Sequence, residues 1–373
     1  MQHRNIGCAF ALSGLLAVVA LAGGCASSSN DNAPSGSTSS TASTTGFGGS
    51  AMTSGGVAGS SGSGESGGAG DVDAGQAGAA GSTGTNDAGA PDGTAGDGGA
   101  VVSDPGTEGD GKFTIPQPSY PPEATLQPGV TAGRIQTISV TSQIYPNTTR
   151  TVWIYTPAGY VADTPAPFMV LQDGRAYIDN FRLNTVLDNL IAKKQLPMMV
   201  AIFIPPSANR SVEYDTVDDT YARFVLNEVF PAVEKLAVKL TSDPQGGGAG
   251  GHSSGGIAAF TMGWFRPDRF RRILTNSGSF TNIRGGDQYW TGKDLVRTTM
   301  PLKPLRVTQT AGTNDLQSPR WQQANESMFM ALSSAGYHDR YLLITAGTHD
   351  QRSSGPTTAQ QMLWLWRGYP IAK

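Results

Sequence analysis

Cysteine is almost missing from this chain of 373 residues: there are two, Cys8 and Cys25, both close to the N-terminus. Beyond Cys25 the chain therefore has no disulfide and no thiol nucleophile. Histidine is nearly as scarce, with four in all. Three of these, His252, His338 and His349, are scattered along the second half of the chain, and without cysteine they make no metal-ligand set. No G-K-[ST] follows any glycine loop, which excludes a phosphate P-loop. No nucleic-acid motif and no strict internal repeat is present. Lysine and arginine are absent from residues 26–111, and so are nearly all large apolar side chains.

What stands there instead is Gly, Ser, Ala, Thr and Asp, with ten acidic residues between Asp31 and Asp110. Such a segment buries too little surface to offset its ordering entropy and is expected to be disordered. As a flexible coil it would reach roughly 50 Å. Ahead of it, "MQHRNIGCAFALSGLLAVVALAGGC" has Arg4, an apolar run and small residues ending at Cys25, the layout of a secretory signal. The ending "LAGGC" resembles a bacterial lipobox, although Ala22 stands where leucine is usual. The expected organisation is a lipoprotein-type signal over 1–25, a tether over 26–111 and one domain over 112–373. Cys25 would carry the lipid and hold the protein at the bacterial cell envelope. Ordinary cleavage nearby, giving a secreted protein, and an uncleaved anchor remain open. Without Arg4 and the ten linker acids, 25 Lys and Arg stand against 19 Asp and Glu, a net of +6. That modest excess reads as a solvated surface, and Arg266, Arg269, Arg271 and Arg272 read as a solvated helix end.

In the remaining 260 or so residues, short apolar runs alternate with helical patterns. "RTVWIYTP", "APFMVLQDG", "MMVAIFIPP", "RRILTNSG", "PLRVTQTAG" and "DRYLLITAG" read as strands. "NFRLNTVLDNLIAKK", "SPRWQQANESMFMALSSAG" and "PTTAQQMLWLW" read as helices, as does "DDTYARFVLNEVFPAVEKLAVKL", with a kink at Pro231. Strands alternating with helices predict an α/β fold with a mostly parallel, doubly wound sheet, whose active residues gather at the carboxyl ends of the strands.

"QGGGAGGHSSGGIAAF" (245–260) carries two overlapping patterns. Gly246, Gly248 and Gly251 fit the dinucleotide fingerprint G-x-G-x-x-G. That pattern needs an apolar strand before it and an acid about 20 residues on, but "LTSDPQ" precedes it and Arg271 and Arg272 follow. No nucleotide cofactor is expected. Gly251, Ser253 and Gly255 fit G-x-S-x-G, the strained turn that exposes a nucleophilic serine at a helix N-terminus. Its partners should follow in the order acid, then histidine. Of the histidines, only His349 falls just after a strand; His338 precedes one, and His252 lies in the elbow with its side chain expected to turn away from Ser253. Asp315 follows the preceding strand, whereas Asp350 is too near His349 in sequence to orient its ring and Asp339 lies at the opposite strand end. The candidate catalytic set is Ser253, Asp315 and His349.

The stretches "GHSSGGIAAFTMGWFRPDRFRRILTNSGSFTNIRGG", "AGTND" and "AGTHD" resemble the enterochelin-esterase-like, or esterase D-like, branch of the α/β-hydrolases, which also holds feruloyl and acetylxylan esterases and mycolyltransferases. The resemblance runs over about residues 134–366. It implies the α/β-hydrolase fold, the same three residues as a triad, and oxyanion donors on the backbone N–H groups of Ser254 and Arg175. The implied function is hydrolysis of a small-molecule ester, sugar-linked, siderophore-derived or simple, without cofactor or metal. Acyl transfer to an alcohol, or a decayed site kept as a surface binding module, are the alternatives. One departure stands out: relatives enter the elbow on an apolar strand, and here "QGGGAGG" does. At roughly 0.5–1 kcal/mol per interior glycine, the central strand is expected to be short or loosely held. Arg284, Tyr289 and Trp290 lie in a loop that could form a lid, and Arg210 could approach the same edge; core packing and surface charge explain them equally well, so they receive no role.

Overall fold

The computed structural model describes residues 106–317 and 320–371. The expected signal, Cys25 and the tether up to residue 105 lie outside these. The linker is expected to reach 111, yet Asp110 already bonds His338 (2.7 Å), and the carbonyls of Glu108 and Gly109 accept from Arg367 and Arg340. The segment is held by main-chain carbonyls and the Asp110 side chain, contacts that composition does not reveal.

Nine strands form one sheet: β1 (Gly111–Pro116), β2 (Arg134–Ser142), β3 (Thr148–Thr156), β4 (Phe168–Gln172), β5 (Val200–Ile204), β6 (Gly247–His252), β7 (Arg272–Asn276), β8 (Arg306–Asn314) and β9 (His338–Thr348). Their order is β1-β9-β8-β7-β6-β4-β5-β3-β2, parallel from β1 to β5. Only β3 runs against the rest, pairing antiparallel with both β5 and β2. The helices are α1 (Arg175–Asp179), α2 (Leu183–Ala192), α3 (Arg210–Asp215), α4 (Thr220–Phe224), α5 (Phe230–Glu234), α6 (Ser254–Phe265), α7 (Leu295–Thr298), α8 (Arg320–Ala335), α9 (Gln351–Ser354) and α10 (Thr358–Leu365).

The period of two along the central strands feeds two separate cores. Phe168 and Val170 of β4 and Val200, Ile202 and Ile204 of β5 pack with α4 to α6 and α8. Met169, Leu171, Ala201 and Phe203, the alternate positions, pack with α2 and α10 on the other face. The long helix expected over 218–240 runs without a gap over 220–234, and a π-helical turn at Val225–Val229 joins α4 to α5. Pro231 has no N–H to return to residue 227, so the kink takes this form. Arg272 is no part of a solvated helix end. It lies buried in β7, donating to the carbonyls of Gln245 and Leu365 under the rings of Trp366 and Tyr369, and burial drives its pKa down to about 10.

The central strand is neither short nor loose. β6 has six residues, all buried, paired with β4 on one side and β7 on the other. Its glycines are dictated by crowding. A Cβ on Gly247 would collide with the carbonyl of Arg269, one on Gly248 with the sulfur of Met169, and one on Gly251 with the carbonyl of Gly255. The volume that an apolar β6 would fill is taken by neighbouring backbone and side chains.

Candidate active site

Ser253 follows β6 directly and precedes α6, with φ 58° and ψ −124°. A non-glycine residue holds that geometry only where the surroundings over-determine it. Here they do: its N–H donates to Asn276 O of β7 (2.9 Å), and its carbonyl accepts from Gly256 (2.9 Å) and Ser279 (3.1 Å). The two flanking glycines serve the turn by close approach. Gly251 abuts Gly255, and a Cβ on Gly255 would sit 2.5 Å from the Asp173 carboxylate at the end of β4.

His349 follows β9 and Asp315 follows β8, so both reach the same carboxyl edge. His349 Nε2 is 2.9 Å from Ser253 Oγ, and His349 Nδ1 is 2.5 Å from Asp315 Oδ1. The structure thus brings together three side chains widely separated in the chain. The Asp315 side chain is fully buried and His349 is 24 % exposed, so the relay runs from interior to cleft. Burial opposes ionisation of Asp315, but hydrogen bonds from His349 and Ser277, with the His349 charge and the Leu316 N–H, hold its carboxyl below the usual range. Asp350 instead caps α9 through Arg352 N and pairs with the Arg352 guanidinium, which draws its pKa to about 2. Asp339 is buried at the start of β9, accepting from Gln309 (2.6 Å). His338 opens the same strand, remote from Ser253 along it.

Beside β6, the turn after β4 is built alike. Asp173 and Gly174 have φ 66° and 50°, and α1 starts at Arg175. Ser254 and Arg175 occupy first helical positions, whose N–H groups have no intrahelical acceptor. The Arg175 side chain itself turns outward to Asp179 (3.1 Å).

Sequence reasoning gave three neighbours no part. His252 is packed, but against His349 itself, ring centroids 4.8 Å apart. Burial first, and then the charge of His349, lower its pKa to about 3. Arg210 clasps Asp173 (2.8 and 3.1 Å) and donates to His252 O (3.2 Å). Its helix, α3, is tied to β3 by the buried pair Arg150–Glu213 (2.5 Å). Ser277, directly after β7 at φ 47°, donates to Asp315 Oδ2 (2.7 Å). Its place at a strand's carboxyl end was the available signal. Tyr289 and Trp290 form no lid: Tyr289 is buried against Thr261 and Trp290 bonds Phe280 O. Arg284 is exposed. An open cleft of about 540 Å³ ends at Ser253 and His349, with His252, Arg210, Asn180 and Arg352 in its walls. Among the described residues no group of His, Cys, Asp and Glu is suited to hold a metal ion.

A mostly parallel sheet covered on both faces, with a serine on the strained turn between a central strand and its helix, defines an α/β-hydrolase fold. The chain belongs to the Esterase family ("Putative esterase"), whose model matches residues 142–366. It is 31% identical over 216 residues to the iron(III) enterobactin esterase of Dickeya dadantii, covering 54% of this chain and 48% of that one. The corresponding Escherichia coli K12 esterase is 27% identical over 219 residues, 57% of this chain and 53% of its own. The chain thus spans about half the length of the curated relatives it matches. Among solved structures, the enterochelin esterase of Shigella flexneri superposes with a TM-score of 0.53 at 25% identity, over 66% of this chain and 63% of that one.

Proposed function

We propose that this protein is a serine carboxylic-ester hydrolase. The observation that carries the reading is the continuous contact from Ser253 through His349 to Asp315, at 2.9 and 2.5 Å, beside an open cleft. Membership of the Esterase family supports it. Ser253 Oγ attacks the ester carbonyl carbon as its proton passes to His349 Nε2. Asp315 accepts from Nδ1–H, which fixes the tautomer and stabilises the imidazolium. The carbonyl oxygen becomes an oxyanion, held by the N–H groups of Ser254 and Arg175. Collapse breaks the ester C–O bond, and Nε2 returns the proton to the departing alcohol. Water, deprotonated by His349, then attacks the acyl carbon; the C–Oγ bond breaks, Nε2 returns the proton to Ser253 Oγ, and the acid is released. The enterobactin esterases among the relatives make a siderophore-type lactone one candidate substrate, alongside sugar-linked and simple acyl esters.

Replacing Ser253 by Ala is expected to cut turnover of nitrophenyl butyrate on the order of a thousandfold or more. Hydrolysis at the wild-type rate by a folded Ser253→Ala variant would remove this serine from the reaction. For the whole protein we propose that Cys25 carries lipid and that residues 26–105 tether the esterase domain to the cell envelope.

A further inference from the structure

The segment after β7, Ser277-Gly278-Ser279, touches both ends of the Ser253–His349–Asp315 relay. At one end, the Ser277 hydroxyl donates to Asp315 Oδ2 at 2.7 Å. At the other, Ser279 Oγ lies 3.4 Å from Ser253 Oγ, and Ser279 N–H donates to Ser253 O at 3.1 Å. Both serines are buried, and neither lies within a helix or strand. The segment is pinned from behind by α8. Trp321 Nε1 donates to Ser277 O (3.2 Å), and Asn325 Nδ2 donates to Gly278 O (2.9 Å) and back to Trp321 O (2.9 Å). The Trp321 ring also stands edge-on to His349, 5.6 Å away at 80°. Ser277 N–H is itself held by Thr310 O of β8 (2.7 Å).

We propose that Ser277 and Ser279, clamped by Trp321 and Asn325, are positioning residues that set the relay from its two ends: Ser277 fixes the plane of the Asp315 carboxylate, and Ser279 fixes Ser253. The acceptor count at Asp315 gives the reason. Oδ1 serves His349 and the Leu316 N–H, while Oδ2 serves Ser277 and only a long bond from Gly312 N–H at 3.3 Å. Without the Ser277 hydroxyl, Oδ2 keeps only that weak contact. The carboxylate is then free to turn, carrying the His349 ring and its Nε2 with it. Misplacement of a reacting group by about 1 Å costs on the order of a hundredfold. The inference rests on the esterase reading above.

The test uses the full chain with Ser277→Ala, Ser277→Gly, Ser279→Ala and Trp321→Phe. Competent sites are counted by end-point titration with an organophosphate, and kcat and KM are measured for nitrophenyl butyrate. Both Ser277 variants are expected to keep the titrated sites, with kcat per site down roughly 10- to 100-fold and KM within about threefold. Glycine, which relieves the positive φ, is expected to recover none of that loss. Ser279→Ala and Trp321→Phe, the latter putting a smaller aromatic ring without an N–H in place of the indole, should lower kcat about threefold or more. Wild-type kcat per site in Ser277→Gly would overturn the proposal, as would losses explained wholly by fewer titrated sites. Should the Ser277 variants not fold, wild-type kcat in both Ser279→Ala and Trp321→Phe would overturn it. Retained turnover in Ser253→Ala is a different result and sinks the esterase reading itself.

Discussion

His252 occupies a position where chemistry is decided by a group that stays uncharged. It is buried between Phe181 and His349, its Nε2 has no hydrogen-bond partner among the described residues, and its pKa falls to about 3 from an ordinary 6.5. It is therefore neutral wherever an imidazole base works, and adds no second positive charge when His349 takes a proton. The charge of Arg210 acts in the same direction as burial and those of Asp315 and Asp350 against it, and burial is the largest effect. The folded pKa is depressed, so the unfolded chain binds the proton more readily between pH 6.5 and 3. This stability is present above pH 6.5 and is lost as pH falls towards 3. From pH 7 to pH 4 the loss is about 3 kcal/mol. Urea midpoints at those two pH values should fall further for the wild type than for His252→Gln, and equal falls would contradict the assignment. None of this was legible in the sequence, where histidine before the elbow serine says nothing of which ring it meets.

Among the elements, the interior strands were legible because burial on both faces leaves unbroken apolar runs, as in "MMVAIFIPP". The edges were not read: β1 gains its place by pairing with β9, more than 200 residues away in sequence, and β2 by pairing with β3. β6 departs from its expected looseness, because intrinsic propensity counts glycine as a weakness and takes no account of the crowding around it. The prediction that separates the two views is Gly247→Ala. Propensity alone says that alanine stabilises a strand by about 0.5–1 kcal/mol. The collision with the Arg269 carbonyl says that the protein loses about 3 kcal/mol or more, or fails to fold, because backbone cannot step aside cheaply. Chemical denaturation of the purified variant decides the sign.

For the whole molecule, the legible part of the candidate site was its address. Strand ends and chain order select Ser253, Asp315 and His349, and the structure brings them within hydrogen-bonding distance. What sequence does not carry is the long-range contact, such as Ser277 reaching Asp315 or Arg210 reaching Asp173. The proposed attachment is tested by fractionation. Wild-type protein should stay with membranes and Cys25→Ala should leave them, and equal partition would argue against lipid at Cys25. The central claim is that Ser253 is made nucleophilic by His349, and reaction of the folded chain with a fluorophosphonate, followed by mass spectrometry of its peptides, tests it most directly. A single adduct on Ser253, absent from chain unfolded before labelling and from His349→Ala, is the predicted result. A folded protein left unlabelled, or labelled at Ser254 or Ser279 instead, would contradict it.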